Sequence, residues 1–352
     1  MDVVTRAELI QRPPTEEVVT KEELITLLKN KSSPNHYIGL EISGKLHLGS
    51  LILTGFKLND FIKAGFRTNV FLADWHTYIN NKLNNDWDLI SNVSKYYEKA
   101  FSFFCPGVNI LHGTKLYEEN KDYWKNFVLF SKQITLSRAL RSLTIMGRTE
   151  QDSLDFSQLL YPSMQSVDIK AMDLDIVHAG TDQRKIHMLV REVFPKLGWK
   201  VPVSVHHHIL PGLTDPNMST NSSIERNSED AKIFTKMSKS NPSGSILIHD
   251  NAEEISTKVK KAYCPSKITQ NNPILEIINY VIFHEFEEFI LERPTKYGGN
   301  ISYYSFDELK VDFENGRIHP MDLKMSTSIY LDKIIAPVRN YLENDYRKTF
   351  QS

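Results

Sequence analysis

The sequence has few of the features that stabilise secreted proteins or anchor membrane proteins. Only two of its 352 residues are cysteines, Cys105 and Cys264, and they are far apart and lack a metal-ligand spacing. Two such cysteines predict reduced thiols in a cytoplasmic protein, with neither a disulfide framework nor a structural metal. The N-terminal residues lack the basic start and apolar stretch of a signal peptide, and no apolar run is long enough to cross a membrane.

A large excess of charge of either sign is also absent. Lys and Arg number 42, Asp and Glu number 43, and the formal net charge is -1. General polyanion binders usually carry a basic excess, so we expect any contact with nucleic acid to be local. Apolar residues make up 41% and charged residues 24% of the chain, which excludes a disordered or fibrous protein. The length predicts a large α/β domain and a smaller second domain.

Short apolar runs alternate with helical stretches along the chain. The runs lie at residues 37–40, 69–72, 108–111, 176–177 and 201–205. This alternation predicts a Rossmann-type parallel sheet with helices on both faces, and a helical insertion at about 115–172. Helical patterning dominates again from residue 252, with apolar side chains at Ile274, Ile277, Ile278, Val281 and Ile282. We therefore predict an α/β domain over residues 1–249 and a mainly α-helical domain over residues 250–352.

The first motif with chemical meaning is His47-Leu48-Gly49-Ser50, which is predicted to follow a strand and to open a helix. Glycine lets a nucleotide approach the backbone, and a helix N-terminus favours anionic phosphate. His47 can add a hydrogen bond to a phosphate as negative charge builds up. The alternative interpretation is a histidine that simply caps a helix.

The second motif is Lys236-Met237-Ser238-Lys239-Ser240, which follows a segment rich in Ser, Asn and Thr. We expect a mobile polar loop and this motif over residues 213–242. Two lysines separated by small hydroxyl residues can clamp a triphosphate and neutralise a leaving pyrophosphate. A solvated basic turn is the alternative interpretation.

The two motifs, 189 residues apart, resemble the paired signature sequences of class I aminoacyl-tRNA synthetases. The resemblance implies catalytic roles for His47, Lys236 and Lys239. It also implies that ATP, used with Mg²⁺, is bound by Glu41, His47, Gly49, Ser50, Asp182 and Lys239. Family members often have a second histidine where this chain has Ser50, which weakens a catalytic role for that position.

A third set of polar residues indicates the substrate. Pro162 suits the first turn of a helix, on which Tyr161, Gln165 and Asp168 fall at i, i+4 and i+7 and share one face. A solvated polar stripe is the alternative for that face. Other members of the set follow or flank predicted strands, at the edge where open α/β sheets bind ligands. They are Tyr37, Glu41, Asp182 and Gln183, together with His76 in the segment Ala73-Asp74-Trp75-His76 that ends the second strand.

This set resembles that of tyrosyl-tRNA synthetases of the archaeal and eukaryotic type, and the resemblance covers nearly the whole chain. It implies that Tyr37 and Asp168 hydrogen-bond the phenol hydroxyl of L-tyrosine. The ammonium group would be held by Tyr161, Gln165 and Gln183, and the ring pocket shaped by Leu72, Ala73 and His76. A tryptophanyl enzyme is the rival within the class, but an indole offers only one N–H donor to the paired phenol-reading groups.

The same resemblance implies tRNA(Tyr) as a partner and a homodimer formed through the helical insertion. Arg141 and Arg184 would approach the acceptor end, because arginine forks suit phosphates and guanine edges. His319 and Asp322 lie in a segment that resembles the anticodon-reading segment of this subfamily, where the carboxylate would pair with a guanine. Two other functions stay open: a different nucleotidyltransferase, and a catalytically weak RNA-binding protein with the same fold.

Three adjacent histidines, His206-His207-His208, could suggest a metal site. Adjacent residues of a strand point to alternate faces, however, so the three side chains cannot converge. We predict a structural or exposed role for them and no bound metal.

Overall fold

The computed structural model describes residues 1–148, 152–215, 236–237 and 242–351. They form two compact units: a first unit of residues 1–44 and 57–208, and a second unit of residues 45–56 and 209–352. This division differs from the expected boundary at residue 249. The Leu48 amide donates to the Ile246 carbonyl (2.9 Å) and the Ile248 amide to the Leu46 carbonyl (3.0 Å), which ties the first motif into the second unit. The assignment of functional domains stays a prediction.

Strands in the described residues are β1 (Thr15–Val19), β2 (Asn35–Leu40), β3 (Arg67–Leu72), β4 (Asn109–His112), β5 (Ile176–Gly180), β6 (Val203–His207), β7 (Phe289–Leu291) and β8 (Ile301–Tyr303). The first six form one sheet in the order β1-β6-β5-β2-β3-β4. β1 is antiparallel to β6, and every other neighbouring pair is parallel. Each apolar run overlaps a strand of this sheet, so the predicted α/β fold is confirmed. Within this sheet, β1 is the strand that the sequence did not predict.

The α-helices in the described residues are α1 (Val3–Gln11), α2 (Lys21–Asn30), α3 (Thr54–Lys63), α4 (Asp74–Ile79), α5 (Trp87–Phe104), α6 (Gly113–Glu119), α7 (Tyr123–Ser131), α8 (Leu136–Arg141), α9 (Tyr161–Ala171), α10 (Arg184–Val193), α11 (Ala252–Lys261), α12 (Pro273–Ile277), α13 (Phe283–Glu285), α14 (Phe306–Glu314) and α15 (Pro320–Phe350). Two π-helices, Leu48–Leu53 and Ile278–Ile282, run directly into α3 and α13. The described residues between β4 and β5 contain helices α6 to α9, as the predicted insertion requires.

Two apolar clusters cover opposite faces of the six-stranded sheet in the first unit. Tyr37 and Val177 belong to the cluster that includes the helices after β4, whereas Ile176 and Val205 belong to the cluster with α1, α2 and α3. Since successive strand residues alternate between faces, the two clusters bury the two sides of the same strands. Tyr37 therefore faces the helical region that contains α9.

The second unit is mainly helical. Its two-stranded antiparallel sheet pairs β7 with β8, and α15 runs for 31 residues with Pro337 inside it. The five apolar residues predicted to face a helical core are all buried: Ile274, Ile277, Ile278, Val281 and Ile282. Among the helices of the described chain, we find none with the length and apolarity needed to span a membrane.

Candidate functional site

Helix α9 presents the residues predicted to recognise tyrosine. It begins at Tyr161 with Pro162 in its first turn, as expected, and buries Tyr161 and Asp168. Tyr37 is also buried, and burial raises the pKa of its hydroxyl, with a further contribution from the charge of Asp168. Tyr37 therefore keeps its proton and remains a hydrogen-bond donor close to a carboxylate.

Asp168 is almost fully buried and has two neighbours that the sequence did not single out. The Tyr123 hydroxyl donates to Asp168 Oδ1 at 2.7 Å, and the Tyr117 ring packs 4.4 Å from the Tyr123 ring. Burial raises the pKa of Asp168 to about 8, while hydrogen bonds from Tyr123 and Tyr117 oppose that rise. The carboxyl group is thus poised to change its charge near neutral pH.

His76 lies on the other side of the same carboxyl group. Its Nε2 is 3.5 Å from Asp168 Oδ2, and its ring meets the Tyr161 ring edge to face at 4.5 Å. Burial lowers the pKa of His76 to about 3, so the imidazole is neutral and this contact is not an ion pair. The structure brings His76 together with Tyr161 and Asp168, as the sequence predicted.

A second polar group joins helix α9 to the end of β5. Gln165 Nε2 donates to Gln183 Oε1 (3.1 Å), and Gln183 Nε2 donates to the Ile145 carbonyl (2.9 Å). Gln165 Oε1 is buried and has no hydrogen-bond partner among the described residues. Burying an amide oxygen without a hydrogen-bond partner costs free energy. This oxygen is therefore a candidate acceptor for an N–H group of a ligand.

Glu41 follows β2 and is fixed by two donors. Asn80 Nδ2 donates to Glu41 Oε1 at 2.7 Å, and the Tyr161 hydroxyl approaches the same oxygen at 3.5 Å. Asn80 is fully buried and was not predicted from the sequence, because nothing in its local pattern indicates a distant carboxylate partner. Asp182 lies in the 3₁₀ turn Thr181–Gln183 directly after β5, at the predicted edge of the sheet.

Leu72 and Ala73, both predicted to shape the ring pocket, lie at the end of β3 but have different neighbours. Phe71 and Ala73 belong to the cluster that contains Tyr37, whereas Leu72 pairs in register with Leu40. Because strand residues alternate, Leu72 points to the opposite face of the sheet. The structure therefore brings Phe71, and not Leu72, to the face of Tyr37.

Arg184 and the histidine run share one network. Arg184 forms two hydrogen bonds to the Glu17 carboxylate of β1, at 2.8 and 2.9 Å. Glu17 also contacts His206 Nδ1 at 2.8 Å, and His206 Nε2 lies 3.0 Å from His187 Nδ1. On the opposite face of β6, His207 contacts His178 at 2.7 Å. His206 and His207 lie on opposite faces of β6, as predicted, while the structural or exposed role expected for the histidine run stays a prediction. In the described ranges no group of three or more possible metal ligands occurs.

The first motif caps a helix in the second unit. His47 Nδ1 accepts from the amides of Gly49 (3.2 Å) and Ser50 (3.3 Å), and Ser50 Oγ accepts from the His47 amide (2.9 Å). Because Nδ1 is the acceptor, the neutral ring carries its hydrogen on Nε2. Ser50, in place of a second histidine, completes the cap. Capping and phosphate binding are compatible, since they use different ring nitrogens.

The second motif is described only in part. Lys236 forms a β-bridge with Pro211, and the buried Met237 donates its amide to the Leu210 carbonyl at 2.8 Å. Lys239 lies outside the described residues, as does most of the predicted polar loop. The role predicted for Lys239 therefore stays a prediction.

The residues predicted to contact tRNA occupy exposed or partly exposed positions. Arg141 ends α8 and is exposed, whereas His319 is the N-cap of α15 and accepts from the Met321 amide at 3.1 Å. Asp322 lies in the first turn of α15 and is partly exposed. The alternative interpretation of this segment, a turn that starts a helix, describes its structure.

Comparisons with known proteins agree with this geometry. The family model of class I tRNA synthetases (W and Y) matches residues 29–336. A tyrosine–tRNA ligase of Pyrococcus abyssi is 43% identical, with 97% of this chain and 96% of the relative covered. The crystal structure of tyrosyl-tRNA synthetase complexed with L-tyrosine from Pyrococcus horikoshii is 42% identical, covers 98% of this chain and 97% of its own, and superimposes with a TM-score of 0.89. Tryptophanyl-tRNA synthetase of Plasmodium falciparum, at 17% identity and a TM-score of 0.67, shares the fold alone. The resemblance noted from the motifs is thus confirmed, and the chain belongs to the tyrosine–tRNA ligase family of the class I tRNA synthetases.

Proposed function

We propose that the chain is a tyrosine–tRNA ligase: it activates L-tyrosine with ATP and transfers the tyrosyl group to the 3′-terminal adenosine of tRNA(Tyr), releasing AMP and diphosphate. The observation that carries the proposal is the buried carboxyl group of Asp168 on the helix that also presents Tyr161 and Gln165. A buried carboxylate needs donors, and the phenol of tyrosine supplies one where phenylalanine supplies none.

Tyrosine would be held at both ends. Its phenol would donate to Asp168 and accept from the protonated hydroxyl of Tyr37, while Ala73 and His76 line the ring. Its ammonium group would donate to Gln165 Oε1, which lacks a partner among the described residues, and to Gln183 and Tyr161. Leu72 points away from this face, so its contribution would be to support β3 and not to contact the ring.

In the first step, the tyrosine carboxylate attacks the α-phosphorus of ATP, which is used as its Mg²⁺ complex, and pyrophosphate leaves. The His47 tautomer with hydrogen on Nε2 supports a donor role toward phosphate oxygen, and Gly49 leaves the backbone accessible. Ser50 acts in this proposal through the cap and not as a catalytic residue. Lys236 and Lys239 would neutralise the leaving pyrophosphate. Glu41 and Asp182, as carboxylates, suit the hydroxyl groups of ATP ribose.

In the second step, a hydroxyl of the terminal ribose of tRNA attacks the tyrosyl carbonyl, and AMP leaves. No covalent enzyme intermediate is required, so the protein contributes positioning and charge stabilisation. Arg141 and Arg184 would bind the acceptor end. Asp322, with His319 beside it at the start of α15, would read a guanine of the anticodon.

A homodimer is part of the proposal. Helices α7 and α8 expose large apolar side chains, namely Trp124, Val128, Leu129 and Leu136. Exposed apolar residues concentrated on one region commonly mark a protein interface. Light scattering tests this: we expect twice the chain mass for the wild type and a monomer for Val128→Asp combined with Leu136→Glu. A monomeric wild type would contradict the dimer.

The activity is tested by ATP–pyrophosphate exchange with tyrosine, phenylalanine and tryptophan. We expect exchange with tyrosine alone, lost in Lys239→Ala and impaired in Asp168→Ala. Lys121→Ala, which removes an exposed lysine outside both motifs, serves as the control and should leave exchange unchanged. Exchange with tryptophan only would overturn the substrate, and no exchange with any amino acid would favour a non-catalytic RNA-binding protein.

A further inference from the structure

Tyr123 contacts the phenol-reading carboxyl group from helix α7. Its side chain is fully buried, and its hydroxyl lies 2.7 Å from Asp168 Oδ1 and 3.4 Å from the Met164 carbonyl oxygen. The short distance to Asp168 makes this the stronger bond, because a hydrogen bond to a carboxylate is shorter and stronger than one to a carbonyl. The Tyr123 hydroxyl is therefore committed to Asp168.

We propose that Tyr123 is a positioning residue that fixes the Asp168 carboxylate for the substrate phenol, so that rejection of phenylalanine depends on the Tyr123 hydroxyl. This inference rests on the proposed function. Tyr123 would act by orienting Asp168 and would not contact the reacting atoms.

The geometric reason is that a carboxyl group turns easily about its last single bond. The terminal torsion of an aspartate has a broad, roughly two-fold profile, so packing alone selects its orientation weakly. A donor at 2.7 Å pins Oδ1, and His76 borders Oδ2 at 3.5 Å. Since burial keeps His76 neutral, His76 does not neutralise the carboxylate as a cation would. Tyr117 adds a hydrogen bond to the same carboxyl group, so an incoming phenol would complete an acceptor site whose orientation Tyr123 sets.

The electrostatic reason concerns the charge of Asp168. Burial raises the pKa of Asp168 to about 8, and the hydrogen bond from Tyr123 is the first of the contributions that lower it. Without that bond, the carboxyl group would stay protonated to higher pH. Covering a neutral carboxylic acid with the phenylalanine ring costs less free energy than covering a carboxylate. Phenylalanine would therefore be rejected less strongly.

Tyr97 provides a matched control in the same unit. It is buried as deeply as Tyr123, and its hydroxyl donates to the Gly44 carbonyl at 2.8 Å. Tyr97→Phe and Tyr123→Phe each remove a buried phenol hydroxyl together with its hydrogen bonds and leave the ring in place. Their effects on stability should be similar, while only Tyr123→Phe should change the choice between tyrosine and phenylalanine.

The experiment measures kcat/KM for ATP–pyrophosphate exchange with tyrosine and with phenylalanine from pH 6 to 9, for the wild type and both variants. For Tyr123→Phe we expect kcat with saturating tyrosine to be retained within a few-fold and KM for tyrosine to rise about tenfold, the size of one lost hydrogen bond to a charged group. The preference for tyrosine over phenylalanine should fall by a similar factor. The acidic limb of the pH profile of kcat/KM should move to higher pH.

A second measurement separates an action through Asp168 from a general loss of packing. In an Asp168→Asn background, Tyr123→Phe should leave the tyrosine-to-phenylalanine preference unchanged, because the two residues act as one unit. An unchanged preference and an unchanged acidic limb in the single Tyr123→Phe variant would overturn the inference while exchange by the wild type still supports the proposed function. No exchange by the wild type would overturn both.

Discussion

His36 on β2 offers a test of how buried imidazoles couple this fold to pH. Its ring is fully buried, stacks on Phe61 at 3.7 Å, and has no hydrogen-bond partner for either nitrogen among the described residues. Burial lowers the pKa of His36 well below 6.5, with a smaller contribution from the nearby Lys57 charge. The His178 ring lies 5.5 Å away and is also kept neutral by burial. His36 is thus a neutral base in the folded state.

The sign and size of the effect follow from proton linkage. Below pH 6.5 the unfolded chain binds a proton at this position that the folded chain does not, so stability falls as pH falls. For an imidazole that stays neutral when folded, the loss is about 2 kcal/mol at pH 5.0 and about 0.1 kcal/mol at pH 7.5. His36→Phe removes this loss and keeps an aromatic ring against Phe61.

We therefore expect His36→Phe to change the free energy of unfolding by less than about 1 kcal/mol at pH 7.5, since no hydrogen bond is lost. At pH 5.0 the variant should be more stable than the wild type by about 2 kcal/mol beyond any difference at pH 7.5. Urea unfolding at the two pH values measures both quantities. Ile38→Val, a buried apolar change on the same face of β2, is the control and should cost about 1 kcal/mol equally at both pH values.

Equal effects of His36→Phe at both pH values would refute the reasoning, because they would mean that His36 takes up its proton in the folded state. Clear destabilisation of His36→Phe at pH 7.5 would mean that the His36 ring nitrogens do form hydrogen bonds in the folded protein.

Three further predictions concern stability and are measured by urea unfolding at pH 7.5. Gly113→Ala should cost about 1–3 kcal/mol, because its Cβ would come within 2.4 Å of Asp74 Oδ1, an atom fixed by hydrogen bonds. Lys57→Met should cost about 3 kcal/mol or more, since the fully buried ammonium serves three backbone carbonyls and the Asp60 carboxylate. Asn251→Ala should cost about 1 kcal/mol by removing the N-cap of α11, whereas Asn251→Asp should cost much less.

The parts of the fold that were predictable are those with a local signal. Buried parallel strands carry short, nearly continuous apolar runs, so β2, β3 and β5 were visible in the sequence. β1 was not, because its residues Glu16 and Glu17 break the apolar run. Glu17 finds its partners, Arg184 and His206, far along the chain, and no local pattern indicates a pairing across that separation.

The candidate site shows the same limit. The polar face of α9 followed from helical spacing, but Tyr123 reaches Asp168 from another helix, and its sequence neighbours resemble an ordinary aromatic stretch. The sequence predicted Leu72 beside the ring, whereas the structure places Phe71 on that face. The two positions differ by one residue, and a shift of one position reverses the face of a strand. Gln165 Oε1 lacks a hydrogen-bond partner among the described residues because of where the neighbouring donors lie, and the sequence does not give those positions.

The pairing of residues 46–48 with residues 246–248 also has a consequence for biosynthesis. A ribosome that makes about 5–20 residues per second needs about 10–40 s to add the intervening 200 residues. During that interval Leu46 and Leu48, both fully buried in the finished protein, lack their backbone partners Ile248 and Ile246. We therefore expect the nascent chain to expose this apolar segment until residue 246 is made, and a fragment that ends before residue 246 to be prone to aggregation.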